Sequence, residues 1–420
     1  MKSQNKYLLP FILVTSLFFL WAFLHNINPI LIPHLKKACQ LTDTQSAFID
    51  SAVYLGYFTL ALPAGWLMHK WGYKKGIIVG LLLYGVGSFI FLPAAATRSY
   101  PVFLLGLFII AAGATFLETI ANPYITQLGK PETAAQRLNF AQSFNGVGAF
   151  IAPIIGGQFI LSGIEHSQQT LDSMDANTLN AYLQSEADTI KIPYLVIGCL
   201  VLVLVAIFAV AKLPETNTTD KENPQSFSLI ILRNSQVLWA VIAQFFYVGA
   251  QVGVGSFFIR FSKYTADMGE KDAAFYWGSI AMVGFMVGRF AGTFLMRYIK
   301  PVLLLAVYAI ICMVLLALAM VTKGNTAVYA MMAVPFFMSI MFPTIFALGI
   351  DGLGEAGKIA SSFLVMSIVG GAVFPLFMGQ ISDASNIQYA YIVPLLCFVV
   401  ILWFAIRQRK ASVATVGSGH

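Results

Sequence analysis

A chain of 420 residues that is 58% hydrophobic and only 10% charged, with a mean hydropathy of +0.78, cannot be a water-soluble globular protein, in which about 25% of residues are charged. Its formal charge of +7 is scattered in short clusters between apolar runs, which excludes a basic face for nucleic acid and leaves membrane topology as the reason for the excess. The four cysteines, Cys39, Cys199, Cys312 and Cys397, are far apart and show no CxxC spacing, so no metal site, disulfide framework or cofactor is expected.

Crossing the hydrocarbon core takes about 20 mostly apolar residues. Twelve such runs follow one another: 8–33, 44–68, 76–96, 101–128, 138–162, 192–213, 230–258, 273–297, 301–321, 326–350, 358–382 and 387–406. The first is too long and too rich in Asn, His and Pro for a cleaved signal peptide, and no small-residue site closes a short apolar region, so it is expected to remain as the first span. Twelve spans put both termini on one side. Placing them in the cytoplasm leaves sixteen Lys and Arg inside against eight outside, with Arg289 within a span, so the positive-inside rule predicts cytoplasmic termini in a multi-pass protein of the cell (inner) membrane.

Span one contains His25-Asn26-Ile27-Asn28-Pro29. Pro29 removes a backbone donor and frees a carbonyl about one turn earlier, and broken membrane helices line cavities or pack against protein. His25, Asn26 and Asn28 therefore read either as ligand contacts or as polar residues bonding neighbouring helices around a kink. His25 either carries a proton near neutral pH or stays neutral and hydrogen-bonded. Span two opens on Thr42-Asp43-Thr44-Gln45, a capping-box pattern. Asp50 then lies about 12 Å along the helix from the cap, as a hydrated vestibule acid or a second cation-binding carboxylate, and a bound sodium near Asp50 or Glu118 is one form this takes. Tyr54 and Tyr57 share its helical face and can donate to it or to a hydroxylated ligand.

The loop after span two reads Gly65-Trp-Leu-Met-His69-Lys70-Trp-Gly72-Tyr73-Lys74-Lys75. Gly65 permits close helix contact, Gly72 makes the turn, and the cations favour both the helix C-terminus and the cytoplasm. Span four carries Glu118 deep in an apolar run, just before Asn122-Pro123. A charge at that depth costs about 3 kcal/mol or more, so an intramembrane acid points to ion or substrate handling.

Span five contributes Arg137, Asn139, Gln142 and Asn145. Gln142 and Asn145 are three apart and face the same way, offering paired donors and acceptors that suit sugar hydroxyls better than a flat hydrophobic drug. Two long connections follow: Gly163 to Lys191, acidic and outside, and Pro214 to Phe227, inside. In the second half Gln244, Tyr247 and Gln251 sit at i, i+3 and i+7 of span seven, and Trp277 begins span eight. Neutral amides and aromatic rings of this kind form carbohydrate sites and also serve as interhelical glue. Gly65, Gly72, Arg137 and Arg289 are assigned to gating.

An internal repeat divides the chain. Pro123-Tyr-Ile125 with Leu128-Gly129 recurs as Pro343-Thr-Ile345 with Leu348-Gly349, and Val147-Gly148, Pro153 and Gly157-Gln158 recur as Val369-Gly370, Pro375 and Gly379-Gln380. The positions matching Glu118 and Asn145 are Met338 and Ser367, so charge handling is concentrated in the first half. The expected fold is all-α and integral to the membrane, with twelve transmembrane helices in two pseudo-symmetric six-helix bundles: 1–213 and 229–410, a cytoplasmic linker 214–228, and a C-terminal tail 411–420. Two parallel repeats around a midplane site describe an alternating-access transporter.

The loop after span two resembles the signature of the major facilitator superfamily, with His69 in place of its Asp and Tyr73 in place of an Arg. Within that superfamily, Leu117-Glu118-Thr-Ile-Ala-Asn122-Pro123-Tyr and Arg137-Leu-Asn139-Phe-Ala-Gln142-Ser-Phe-Asn145 are similar to the fucose-galactose-glucose:cation symporter family. The resemblance runs over nearly the whole chain and is most specific in spans four and five. It implies that Glu118 couples cation and sugar binding and that Asn28, Gln142 and Asn145 contact sugar, with Asn122 beside them. The family's first-span Asp is replaced by Pro29, which leaves Asp50 as the other buried acid of the half and keeps sodium beside proton as the coupling ion.

The expectation is therefore a monomeric secondary transporter, not an enzyme, that imports a neutral monosaccharide of the glucose, galactose, mannose or fucose class by cation symport. A proton-coupled exporter of drugs is the alternative. A membrane enzyme acting on lipid-linked sugars would need a nucleophile or metal constellation, and none is found.

Overall fold

The computed structural model describes residues 5–26, 31, 34–35, 38–41, 43–159, 168–214 and 229–417, and among them all regular structure is helical. The first half holds α1 (Asn5–His25), α2 (Asp43–Thr97), α3 (Tyr100–Gln127), α4 (Ala134–Phe159), α5 (Ala176–Asp188) and α6 (Lys191–Val210). The second holds α7 (Ser235–Ala266), α8 (Met282–Leu295), α9 (Pro301–Val321), α10 (Asn325–Met338), α11 (Met341–Ile350), α12 (Ala356–Met366), α13 (Gly370–Ala384) and α14 (Ile392–Gly417).

Nine helical stretches among the described residues are long and apolar enough to cross a bilayer. One of them, 52–97, contains two of the predicted spans; α1, whose apolar part runs 7–23, and the amide-rich α4 supply two more. Val203, Phe275, Val314 and Leu376 are at least half exposed, an outer surface that suits lipid and not water.

Spans two and three, together α2, are two helices that meet at the turn expected at Gly72, whose φ of 81° lies in the left-handed region that glycine tolerates. Elsewhere several boundaries differ from the sequence reading, each for a local reason. The acidic connection 163–191 is not simply a loop: it contains α5, begun by Asp175, whose side chain accepts from the backbone N–H of Asn177 and Thr178. The expected tail is helical to Gly417. The linker 214–228 lies outside the described residues except for Pro214, as does the capping Thr42.

Span eight opens with a wide π-helical turn, Tyr276–Ala281, of the kind often found at functional sites. Spans ten and eleven are broken. The first breaks between α10 and α11, directly after Met338, and the second passes through a 3₁₀ turn at Ser367–Val369. These breaks coincide with the two positions that the repeat pairs with Glu118 and Asn145. The proline of each repeat explains part of this, because Pro343 cannot donate to the carbonyl of Ser339, nor Pro123 to that of Thr119.

Within the first half α2 packs on α3 and α6, and α1 on α4; within the second, α14 and α13 pack on α7, and α10 on α9. The halves meet where α12 lies against α2 and α3, and where α8 and α11 lie against α4. The candidate site sits between these two seams.

Candidate functional site

A cavity of about 240 Å³ is lined from the first half by Trp21, Asn26, Tyr54, Tyr57, Glu118, Gln142 and Asn145, and from the second by Gln251, Met282, Phe285, Arg289, Phe342 and Ile368, among others. Glu118 is 8% exposed and Arg289 4%, so the cavity holds an acid and a cation that are both largely withdrawn from solvent. Burying such groups costs several kcal/mol unless their hydrogen bonds are met.

Glu118 is hydrogen-bonded to the Tyr57 hydroxyl. One turn on, Asn122 donates back to the Glu118 backbone carbonyl (2.8 Å), and its side-chain oxygen accepts from the Gln142 amide (3.1 Å). α3 and α4 are thus joined by a polar chain behind the carboxylate. Charge handling and amide recognition share one wall.

Arg289 reaches that wall from α8. Its Nη1 donates to the Gln142 carbonyl (2.5 Å), the Gln142 side-chain oxygen (3.2 Å) and the Asn145 side-chain oxygen (3.2 Å), while Nε donates to the Ser339 carbonyl (2.9 Å). The Ser339 carbonyl is the one that Pro343 leaves without an intrahelical donor. The Phe285 ring covers the guanidinium at 4.6 Å, a cation–π contact. Arg289 is therefore an inter-half tie hydrogen-bonded to four oxygens and covered by a ring, with Glu118 close enough to act on it through charge.

The predicted residues separate into groups. Asn26, Tyr54, Tyr57, Glu118, Gln142, Asn145 and Gln251 line the cavity, and Asn26 also donates to the Ala22 carbonyl on its own helix (2.7 Å). Arg289, assigned from sequence to gating, lies in the cavity. Four predicted contacts do not line it. Asn122 stands behind Gln142. Tyr247 is buried, with its hydroxyl donated to the Met338 carbonyl (3.0 Å) at the break in span ten. Gln244 is fully buried, with neither amide atom hydrogen-bonded to protein. Trp277 packs on Phe258 at 4.9 Å. Asn28 and the side chains of His25 and Asp50 lie outside the described residues. Sequence reasoning missed Trp21, Met282, Phe285 and Phe342, which nothing marks out within apolar runs.

On the side that carries the chain ends the halves are closed. Ser361 Oγ donates across the seam to the Thr119 carbonyl (3.1 Å), the carbonyl freed by Pro123, and Asn139 donates to Thr344 Oγ1 (3.2 Å). Lys358 is ion-paired with Glu355 (2.6 Å) and lies 5.0 Å from the Tyr73 ring centre, so the Tyr that departs from the loop signature still engages a cation. Arg137 binds the carbonyls of Ile125, Thr126 and Lys130, bracing the loop between α3 and α4.

At Gly65 an added β-carbon would stand 1.7 Å from Ser362 Oγ and 3.4 Å from the Lys358 carbonyl. Gly65→Val should therefore disfavour this closed face. In a cysteine-free background carrying Ser361→Cys, soluble maleimide labelling is expected to rise severalfold; unchanged labelling would show that the seam tolerates the branched side chain.

Comparison with known proteins follows the same lines. The Major Facilitator Superfamily family model matches residues 11–375. The chain is 44% identical over 419 residues to the L-fucose-proton symporter of Escherichia coli K12, covering 98% of this chain and 95% of that protein. It is 40% identical over 415 residues to a glucose/galactose transporter of Brucella abortus, covering 97% and 96%. Among solved structures it superposes on the transporter FucP in its outward conformation with a TM-score of 0.90 at 43% identity, covering 96% of this chain and 99% of that one.

Proposed function

Because the chain belongs to the major facilitator superfamily, we propose that it imports a neutral monosaccharide by proton symport, with Glu118 as the proton carrier. The observation that carries this reading is one cavity in which the Glu118 carboxylate, bonded by Tyr57, adjoins the amides of Gln142, Asn145 and Gln251 and the rings of Trp21, Phe285 and Phe342. Amides match sugar hydroxyls in both donor and acceptor roles, and rings cover the apolar faces of a pyranose. The names of the two curated relatives, a fucose-proton symporter and a glucose/galactose transporter, support a hexose or deoxyhexose.

Among the described residues that line the cavity the one carboxylate is Glu118, and a carboxylate with a phenol donating to it suits a proton better than a sodium ion, which needs several oxygen ligands at once. The drug-exporter alternative is not favoured. The cavity is smaller than the roughly 300–1,000 Å³ of drug-sized sites, and its polar wall would be left unpaired by a flat apolar ligand.

The two bundles, with 214–228 as their linker, rock about this cavity. Closure on the side of the chain ends and the likeness to FucP in its outward conformation support a state that admits sugar from the opposite side, which is outward if the termini are cytoplasmic. Protonation of Glu118 and binding of sugar to the amides that Arg289 holds in place remove the cost of occluding bare polar groups, so the bundles close over the site chiefly when it is loaded.

The test is uptake of labelled fucose, galactose, glucose and mannose into proteoliposomes under an imposed proton or sodium gradient. Accumulation of at least one sugar driven by the proton gradient is expected. Accumulation driven by sodium alone would overturn the ion, and no uptake of any sugar by folded protein would overturn the substrate class.

A further inference from the structure

On the face of the molecule that carries the chain ends, the start of α7 and the last turns of the apolar part of α14 come together away from the cavity. Trp239 of α7 and Trp403 of α14 meet edge to face, with ring centres 4.1 Å apart. The Arg407 guanidinium lies 5.5 Å from both ring centres and donates to the Ser235 hydroxyl. Arg233 precedes this turn and Arg409 follows on α14, both exposed. Among the described residues no carboxylate is ion-paired with Arg407. Asp351 offers its backbone carbonyl to Gln236 at the start of α7 (2.9 Å).

A surface arginine normally spends its charge on water and keeps its rotamer freedom. Here two indole rings and a hydroxyl fix the guanidinium, so the entropy of ordering it is already met. The α7 N-terminus adds little of its own, because Asn234 already accepts from the amides of Gln236 and Val237. The attraction for an anion comes from the arginine fork, whose planar donors match phosphate oxygens. Trp403 is 41% exposed on the outer surface of the bundle, and indoles of this kind settle at the lipid headgroup level.

We infer that this cluster is a binding site for the phosphate of an anionic phospholipid, with Arg407 as the phosphate ligand, Arg233 and Arg409 as the adjoining charge, and the tryptophan pair as the wall against the upper acyl chains. Basic pockets between membrane helices hold anionic headgroups in this way. The site is independent of what the central cavity carries.

The full chain in detergent micelles, titrated with phosphatidylglycerol or phosphatidylcholine of matched acyl chains and read by native mass spectrometry, tests the assignment. The expected result is retention of phosphatidylglycerol at least about fivefold over phosphatidylcholine, a preference abolished by Arg407→Gln and reduced by Arg407→Lys, which keeps the charge but not the fork. Because the lysine variant keeps the charge at this turn, it carries the test if the glutamine variant melts early. Equal retention of both lipids by the native chain, or an undiminished preference in both variants, would overturn the site. Displacement of the lipid by millimolar glycerol phosphate as readily as by phosphatidylglycerol would overturn its assignment to a membrane lipid in favour of a soluble phosphate.

Discussion

Glu118→Gln is expected to abolish gradient-driven accumulation while leaving sugar exchange across the membrane intact. Glutamine has nearly the volume of glutamate and can still accept from the Tyr57 hydroxyl, so the wall formed with Asn122 and Gln142 has no reason to collapse. What disappears is the exchangeable charge. One proton entering with each sugar couples transport to about 2.3 kcal/mol per 100 mV of membrane potential, which corresponds to roughly 50-fold accumulation; without it the internal and external concentrations equalise. Preloaded vesicles should therefore show counterflow at near-native rates beside an accumulation ratio of about one. Full accumulation by the variant would remove Glu118 from the coupling role, and loss of counterflow as well would make it a binding residue instead.

Arg289→Met is expected to do the opposite, impairing sugar affinity more than protein stability. Arg289 holds the side chains of Gln142 and Asn145 in place from across the seam, and hydrogen bonds to charged groups contribute about 1.5–3 kcal/mol each. Losing the equivalent of one such bond in the loaded site raises KM by about 10- to 150-fold. The fold has less to lose, because removing the guanidinium also removes the cost of burying it, and apolar replacements of buried ions are often neutral or stabilising. Arg289→Lys keeps the charge without the fork and should fall between. A melting temperature that collapses while KM stays near native would make Arg289 a structural tie only.

The sequence was most informative where polarity is conspicuous. Glu118, Gln142 and Asn145 stand out in apolar spans, and all three reach the cavity because membrane helices bury polar groups only against protein or a cavity. Polarity marks burial but not direction, and this is why Gln244 and Tyr247 were placed among the liners. Tyr247 is claimed by the Met338 carbonyl, which is available because span ten breaks there. The proline at 343 is visible in the sequence, but it frees the Ser339 carbonyl that Arg289 takes, and the pairing of Tyr247 with Met338 is a matter of packing. The cavity's apolar wall was illegible because Phe285 and Phe342 are phenylalanines among many. The helix α5 was hidden in an acidic connection whose periodicity is modest. Arg289 stands out as the one cation inside a span, yet its membership of the cavity depends on how α8 is rotated, which polarity alone does not display.

The wide turn at Tyr276–Ala281 helps set that rotation. A π turn accommodates one residue more than the α-helix around it, so every side chain beyond it is turned by about 100° from where an uninterrupted helix would carry it. Span eight is in effect two pieces of one shaft set at different phase angles. If the wide turn migrates by a few residues, the stretch it passes over rotates through that angle while both ends of the span stay anchored. Met282, Phe285 and Arg289 can in this way be re-aimed by a change in winding alone, without translating the helix through the bilayer.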